Sequence, residues 1–157
     1  MYNYNELIQG DRVREHTPPE INLAIDTDIA ASVRFYAGKS SYEISQRIEE
    51  LNKEWDVERY LETNAATLSL IGAILGFKRN KKWFILPTIV AFFLLQHAIQ
   101  GWCPPLSVFR RLKVRTRKEI EVEKYALKAL RGDFDNISSQ EINTARAEEA
   151  VNESRSA

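Results

Sequence analysis

The chain has 157 residues, 22 Lys plus Arg against 22 Asp plus Glu, and 44% hydrophobic residues. That length holds one domain or less, and the balanced charge exerts no global pull on nucleic acid. One cysteine excludes an internal disulfide and zinc-finger spacing, while six glycines and five prolines exclude collagen-like and Pro-rich classes.

Residues 1–16 are polar, lack an apolar run of signal-peptide length, and read as a flexible arm. Thr17-Pro18-Pro19-Glu20 offers a helix start, and Ile21, Ile25, Ile29, Val33 and Tyr36 follow at helical spacing. Asp26, Thr27 and Asp28 could restart that helix, and Gly38 ends it. Ser40 to Glu43 forms a capping box. Ile44, Ile48, Leu51 and Trp55 then make one apolar stripe among charged neighbours. With no Gly or Pro before Gly72, this amphipathic region, 17–60, is expected to run straight into the next segment.

Thr63 to Phe77 is a stretch of 15 uncharged residues, and KRNKK follows at 78–82. Trp83 to Phe109 adds 27 residues without a charged side chain, counting His as neutral. Pro104-Pro105 should end the second helix near Cys103, leaving about 20 residues, or roughly 30 Å, the thickness of a bilayer core. Trp83 and Trp102 at its ends suit an interfacial aromatic belt. We therefore read 61–109 as a transmembrane hairpin with helices about 61–77 and 83–103, inside an all-α fold.

Gly72 and Gly76, with Ala65, Ser69 and Ala73 beside them, form a small-residue seam for helix packing. It serves either the hairpin or a homodimer. Asn64 and Gln96 each lie sixteen residues from Asn80, so an antiparallel hairpin sets Asn64 and the Gln96/His97 pair at similar depth, with Gln100 on the face of Gln96. These polar groups read as interhelical hydrogen-bonding glue. A polar route for a small substrate is the sharper alternative.

The run 110–118 carries six Lys or Arg. Arg110, Arg111, Lys113 and Arg115 are expected at anionic lipid headgroups. Lacking interleaved aromatic residues beyond Phe109, the run offers no base-stacking platform, so nucleic acid is not an expected partner. Thr116 and Glu119 form another capping box, and Gly132 closes the helix that follows, within a 110–134 juxtamembrane segment. The tail 135–157 reads as disordered, with a weak helix around 139–151. Lys and Arg near the spans number nine on the outer flanks against four in the hairpin loop, which favours both termini in the cytoplasm.

Gly101, Cys103 and Pro104 match a Gly-x-Cys-Pro signature, and the hairpin resembles the YgaP-like transmembrane domain family. That resemblance implies a bacterial inner-membrane, two-helix hairpin, multi-pass and dimeric. In the founding arrangement the hairpin is fused to a rhodanese sulfurtransferase domain. This chain has no second cysteine for such a domain, so that activity does not carry over.

Cys103 is the one candidate reactive thiol. A helix C-terminus disfavours its thiolate, so inert packing is the blander reading. His97 has Phe93, Leu94, Gln100 and Gly101 at three and four residues away, which is not metal-ligand spacing. Gly38-Lys39-Ser40 lacks the glycine a phosphate loop needs at 33, where Val33 stands. No catalytic residue, metal or cofactor is expected. The reading is a non-enzymatic inner-membrane anchor or assembly module, acting as a homo-oligomer on lipid and an unidentified membrane or cytoplasmic protein. A thiol- or sulfur-handling accessory protein and a small transporter component are the alternatives.

Overall fold

The computed structural model describes residues 10–135, and every regular element among them is helical. In chain order these are α1 (Arg12–Glu15), α2 (Pro19–Tyr36), α3 (Ser41–Lys53), α4 (Val57–Lys78), a 3₁₀ turn (Lys81–Phe84), α5 (Ile85–Gln100), α6 (Pro104–Arg111) and α7 (Arg117–Arg131). The expected weak helix at 139–151 lies outside the described residues.

The helices start where local chemistry satisfies their first N–H groups. Ser40 and Glu43 close the expected capping box on α3. At α7, the Thr116 N–H donates to Glu119 Oε2 (2.8 Å) and the Glu119 N–H to Thr116 Oγ1 (3.3 Å). Asp26 to Asp28 do not restart α2, which is continuous. Two expectations fail. Residues 10–16 are not an arm: Asp11 Oδ1 accepts from the N–H groups of Val13 and Arg14, starting α1 and burying Val13. Nor does α3 run into α4. It stops at Lys53, and Asp56 begins a new helix by accepting from the Arg59 N–H at 2.8 Å. An aspartate three residues ahead of an N–H competes for a cap without any Gly or Pro.

The chain divides into two compact units, and α2 and α7 each contribute to both. The first holds residues 10–26 and 55–120. Its core joins Val13, Val57, Leu61, Cys103 and Leu106, with Trp102, Phe109 and Val114 packed on it. The second holds 27–54 and 121–135. There Ile29, Ile44, Ile48, Leu51 and Leu127 are buried. Buried Glu123 accepts from Ser32 Oγ (2.6 Å) and from the Arg47 guanidinium (3.0 and 3.1 Å).

Candidate functional site

Within the first unit, α4 and α5 form an antiparallel helical hairpin. Gly76 meets the Phe84 ring and Gly72 meets Leu86 and Pro87. A Cβ on Gly72 would lie 2.5 Å from Pro87 Cδ, and one on Gly76 would lie 3.0 Å from Phe84 ring carbons. The glycine seam therefore sits inside the hairpin. Ala65, Ser69 and Ala73 lie on the same half-covered side of α4. Pro87 is tolerated because it falls in the first turn of α5, where its missing N–H has no partner to lose.

The rest of the hairpin surface is bare and apolar. Twelve large apolar side chains from Leu68 to Ile99 are exposed, with Phe77 reaching 82%. Four of its polar side chains bond within their own helices. Asn64 Nδ2 donates to the Tyr60 carbonyl (2.8 Å), Thr67 to Thr63 (2.7 Å), Thr88 to Phe84 (2.9 Å), and Gln96 Nε2 to Gln100 Oε1 (3.4 Å). The interhelical amide glue expected of Asn64, Gln96 and Gln100 is replaced by bonds along each helix. A short side chain reaches a carbonyl one turn back before it reaches a neighbouring helix. Asn64 and His97 do share depth, facing one groove.

The hairpin tip carries Lys78, Arg79, Lys81 and Lys82, all exposed, beside the exposed ring of Trp83. At the other end Trp102 is partly buried, packed on the core of the first unit. The second apolar helix also stops earlier than Cys103. Gly101 adopts φ 74° and its N–H donates to His97 O at 2.7 Å. Arg12 then covers the open helix end, donating to the carbonyls of Ala98 (2.8 Å) and Ile99 (3.4 Å), where a cation also suits the helix dipole. Pro104 and Pro105 do not end that helix; they begin α6.

Cys103 is 3% exposed, in the core with Val57 and Leu106. Arg110 is the largest departure. Expected at lipid headgroups, it is 1% exposed, whereas Arg111 and Lys113 are exposed. All five of its N–H donors find acceptors. Nη1 and Nη2 grip Glu119 Oε2 and Oε1 (2.8 Å each), Nη1 also reaches Val114 O (2.9 Å), Nη2 Asn22 Oδ1 (2.9 Å), and Nε Thr17 Oγ1 (3.1 Å). Glu119 accepts further from Arg14 Nη1 at 2.6 Å, and Arg14 holds Asp26 at 2.8 Å. Thr116 Oγ1 donates to Asp11 Oδ2 at 2.6 Å. Burial alone would push the Glu119 carboxyl up, but Arg110, the Thr116 N–H and Arg14 together hold it below 4.5. Arg14 is correspondingly raised, its ion pairs with Asp26 and Glu119 outweighing burial.

A cavity of about 640 Å³ opens at the base of the hairpin, lined among others by Arg12, Glu58, Leu61, Glu62, His97 and Lys118. Two buried polar atoms, Glu58 Oε2 and His97 Nδ1, find no hydrogen-bond partner among the described residues. Burial pushes the Glu58 carboxyl up, outweighing the hydrogen bond it accepts from its own backbone N–H, and Asp56 and Asp11 add to the rise. Nothing in the sequence marks Glu58, because it sits in a charged helix face, where a carboxylate ordinarily meets water. Among the described residues no three His, Cys, Asp or Glu gather as metal ligands.

Comparison with protein-family models, curated proteins and solved structures gives no match. The resemblance to the YgaP-like family therefore rests on Gly101, Cys103 and Pro104 and on the hairpin pattern around them.

Proposed function

We propose that the chain is a non-enzymatic membrane anchor whose α4–α5 hairpin enters the bilayer from a helical, charged base. The observation that carries this is the bare apolar surface of the hairpin. Lys81–Gln100 has the length and composition of a membrane span, and none of the residues in its apolar window is fully buried. Soluble monomers rarely expose contiguous apolar patches beyond a few hundred Å². Covering twelve large side chains, already half-covered on average, is worth on the order of 10–20 kcal/mol. The intrahelical bonds of Thr67 and Thr88 also suit hydrocarbon, where an unsatisfied hydroxyl is costly. The basic tip and the exposed Arg111 and Lys113 near the base would meet headgroups at the two interfaces.

Cys103 supports an anchor better than sulfur chemistry, since a thiol packed in a core lacks access. The Gly72/Gly76 seam is occupied by α5, so a homo-oligomer would use another face. The test is alkaline-carbonate extraction of membranes together with flotation of the purified chain on vesicles. Retention in the washed membrane and flotation with the lipid are expected. A protein released by carbonate that stays at the bottom of the gradient overturns the anchor.

A further inference from the structure

We infer that α6 is an interfacial helix: its outward face lies along the bilayer surface, with Pro105, Val108 and Leu112 at the boundary of headgroups and acyl chains and Arg111 among the phosphates. This rests on the membrane reading above and adds a second point of lipid contact beside the hairpin.

The amphipathicity of α6 is inverted for a helix in water. Leu106 and Arg110 point inward, each 1% exposed. Pro104, Pro105, Val108, Arg111 and Leu112 share the opposite face at helical spacing, and all are exposed. Val108 is 57% exposed and Leu112 70%. The fold thus withdraws an arginine and leaves aliphatic side chains outside, where water would favour the reverse. Both the end and the inner face of the helix are fixed. The Val114 N–H donates to the Phe109 carbonyl (3.0 Å) and the Lys113 N–H to the Arg110 carbonyl (2.9 Å), closing α6 with Lys113 left-handed at φ 58°. Glu119 grips the Arg110 guanidinium, so α6 cannot roll to bury Val108 and Leu112.

The position of α6 makes the occupant of this face a bilayer. The Phe109 ring stacks on Tyr60 with centroids 5.6 Å apart, which fixes α6 beside α4 just before the uncharged stretch begins at Thr63. Pro105 lines the base end of the apolar groove that Ala65, Leu68, Val90 and Phe93 continue between α4 and α5. The outward face of α6 is therefore continuous with the bare surface of the hairpin, at the level where α4 would enter hydrocarbon. A helix with an apolar face and a cation beside it lies in the interface, buried about 5–10 Å into the boundary of headgroups and acyl chains. Arg111 stands at the edge of the apolar face, where its stem can cover acyl chain while the guanidinium reaches a phosphate.

The test uses the full chain with Cys103→Ser, reconstituted in vesicles of mixed phosphatidylglycerol and phosphatidylcholine, with an environment-sensitive fluorophore on single cysteines. Val108→Cys and Leu112→Cys report on α6, and Phe92→Cys, exposed on the hairpin, reports on the anchor. The quenchers are aqueous iodide and lipids carrying a nitroxide near the headgroup or near the end of the acyl chain. At Val108 and Leu112 the nitroxide near the headgroup should quench several-fold more than iodide, while Phe92 should be quenched by lipid alone. Adding Arg111→Glu should raise iodide quenching at Val108 several-fold and leave Phe92 unchanged. Iodide quenching of Val108 and Leu112 as strong as that of free dye, with Phe92 still quenched by lipid, overturns the interfacial helix while leaving the anchor intact. Shielding of Val108 from both quenchers, with unlabelled Val108→Cys forming a disulfide between chains, makes the face a contact between copies and overturns the inference as well. If no lipid quenches Phe92, the anchor and the interfacial helix fall together.

Discussion

Arg110 brings five N–H donors into a site closed to water, and Glu119 opposite it is fully buried. Removing one partner of such a pair leaves the other charge buried and unmatched, at about 3–5 kcal/mol. Arg110→Ala is therefore expected to lower Tm steeply in thermal denaturation, while Arg111→Ala, on the exposed neighbour, is expected to change it little. Equal effects would mean that the pair carries no special weight. The linkage sign follows from the depressed Glu119 carboxyl. The unfolded chain takes up that proton first, so the pair's stabilisation is complete above about pH 4.5 and is lost as pH falls through the lower folded value. Glu58 acts oppositely. Its raised carboxyl makes burial a penalty above the folded value, and protonation relieves it as the pH falls. At pH 7 Glu58→Gln should thus hold or raise Tm. A clear fall would show that the carboxylate has a partner in solution. The capping half of Glu119 was legible from its spacing to Thr116. Its buried half was not, because six cations in nine positions give no sign of which one the fold withdraws.

At the scale of elements, the all-α class, the capping boxes at Ser40 and Thr116, and the small-residue seam were readable because each rests on contacts within a few residues. The boundaries that were missed depend on choices between local signals. Asp56 caps a helix that no Gly or Pro sets apart from α3, and Asp11 caps one inside a segment whose polarity reads as an arm. Gly101 stopped α5 three residues before Pro104 could, since a left-handed residue ends a helix from within. Gly101 is doubly constrained: its positive φ disfavours a side chain, and a Cβ would lie 2.4 Å from Arg12 Cβ. The seam makes the stronger prediction. Gly72→Leu places its Cβ against the rigid Pro87 ring, so the helices must separate. Cysteines introduced for Ala65 and Val90 in a Cys103→Ser background should crosslink readily with Gly72 present and several-fold less with Leu. Unchanged crosslinking would show that the hairpin does not depend on glycine contact.

For the whole molecule, the proposed anchor raises the question whether the hairpin would cross the bilayer, and the lengths of its two arms disagree. The 3₁₀ turn and α5 together cover 20 residues, about 32 Å with the longer rise of the turn, enough for a 30 Å core. The 15 uncharged residues of α4 reach only about 22 Å. The base of α4 cannot slide inward to help, because Val57 and Leu61 are held in the core of the first unit. What remains is the other end, where the stems of Lys78 and Arg79 can lie along hydrocarbon while their charges reach the far headgroups, with modest local thinning of the bilayer. Four basic residues at the tip resist translocation, but nine on the flanks resist it more, and insertion reads that balance before Arg110 has found Glu119. On the anchor reading the tip should therefore emerge on the far side, with both flanks of the hairpin on the cytoplasmic face. Asn80→Cys in a Cys103→Ser background should be labelled by an impermeant thiol reagent added to intact cells, while Ser41→Cys should be labelled only after the membrane is opened. Labelling of both only after opening would mean that the short arm wins, and that the hairpin dips into one leaflet without crossing.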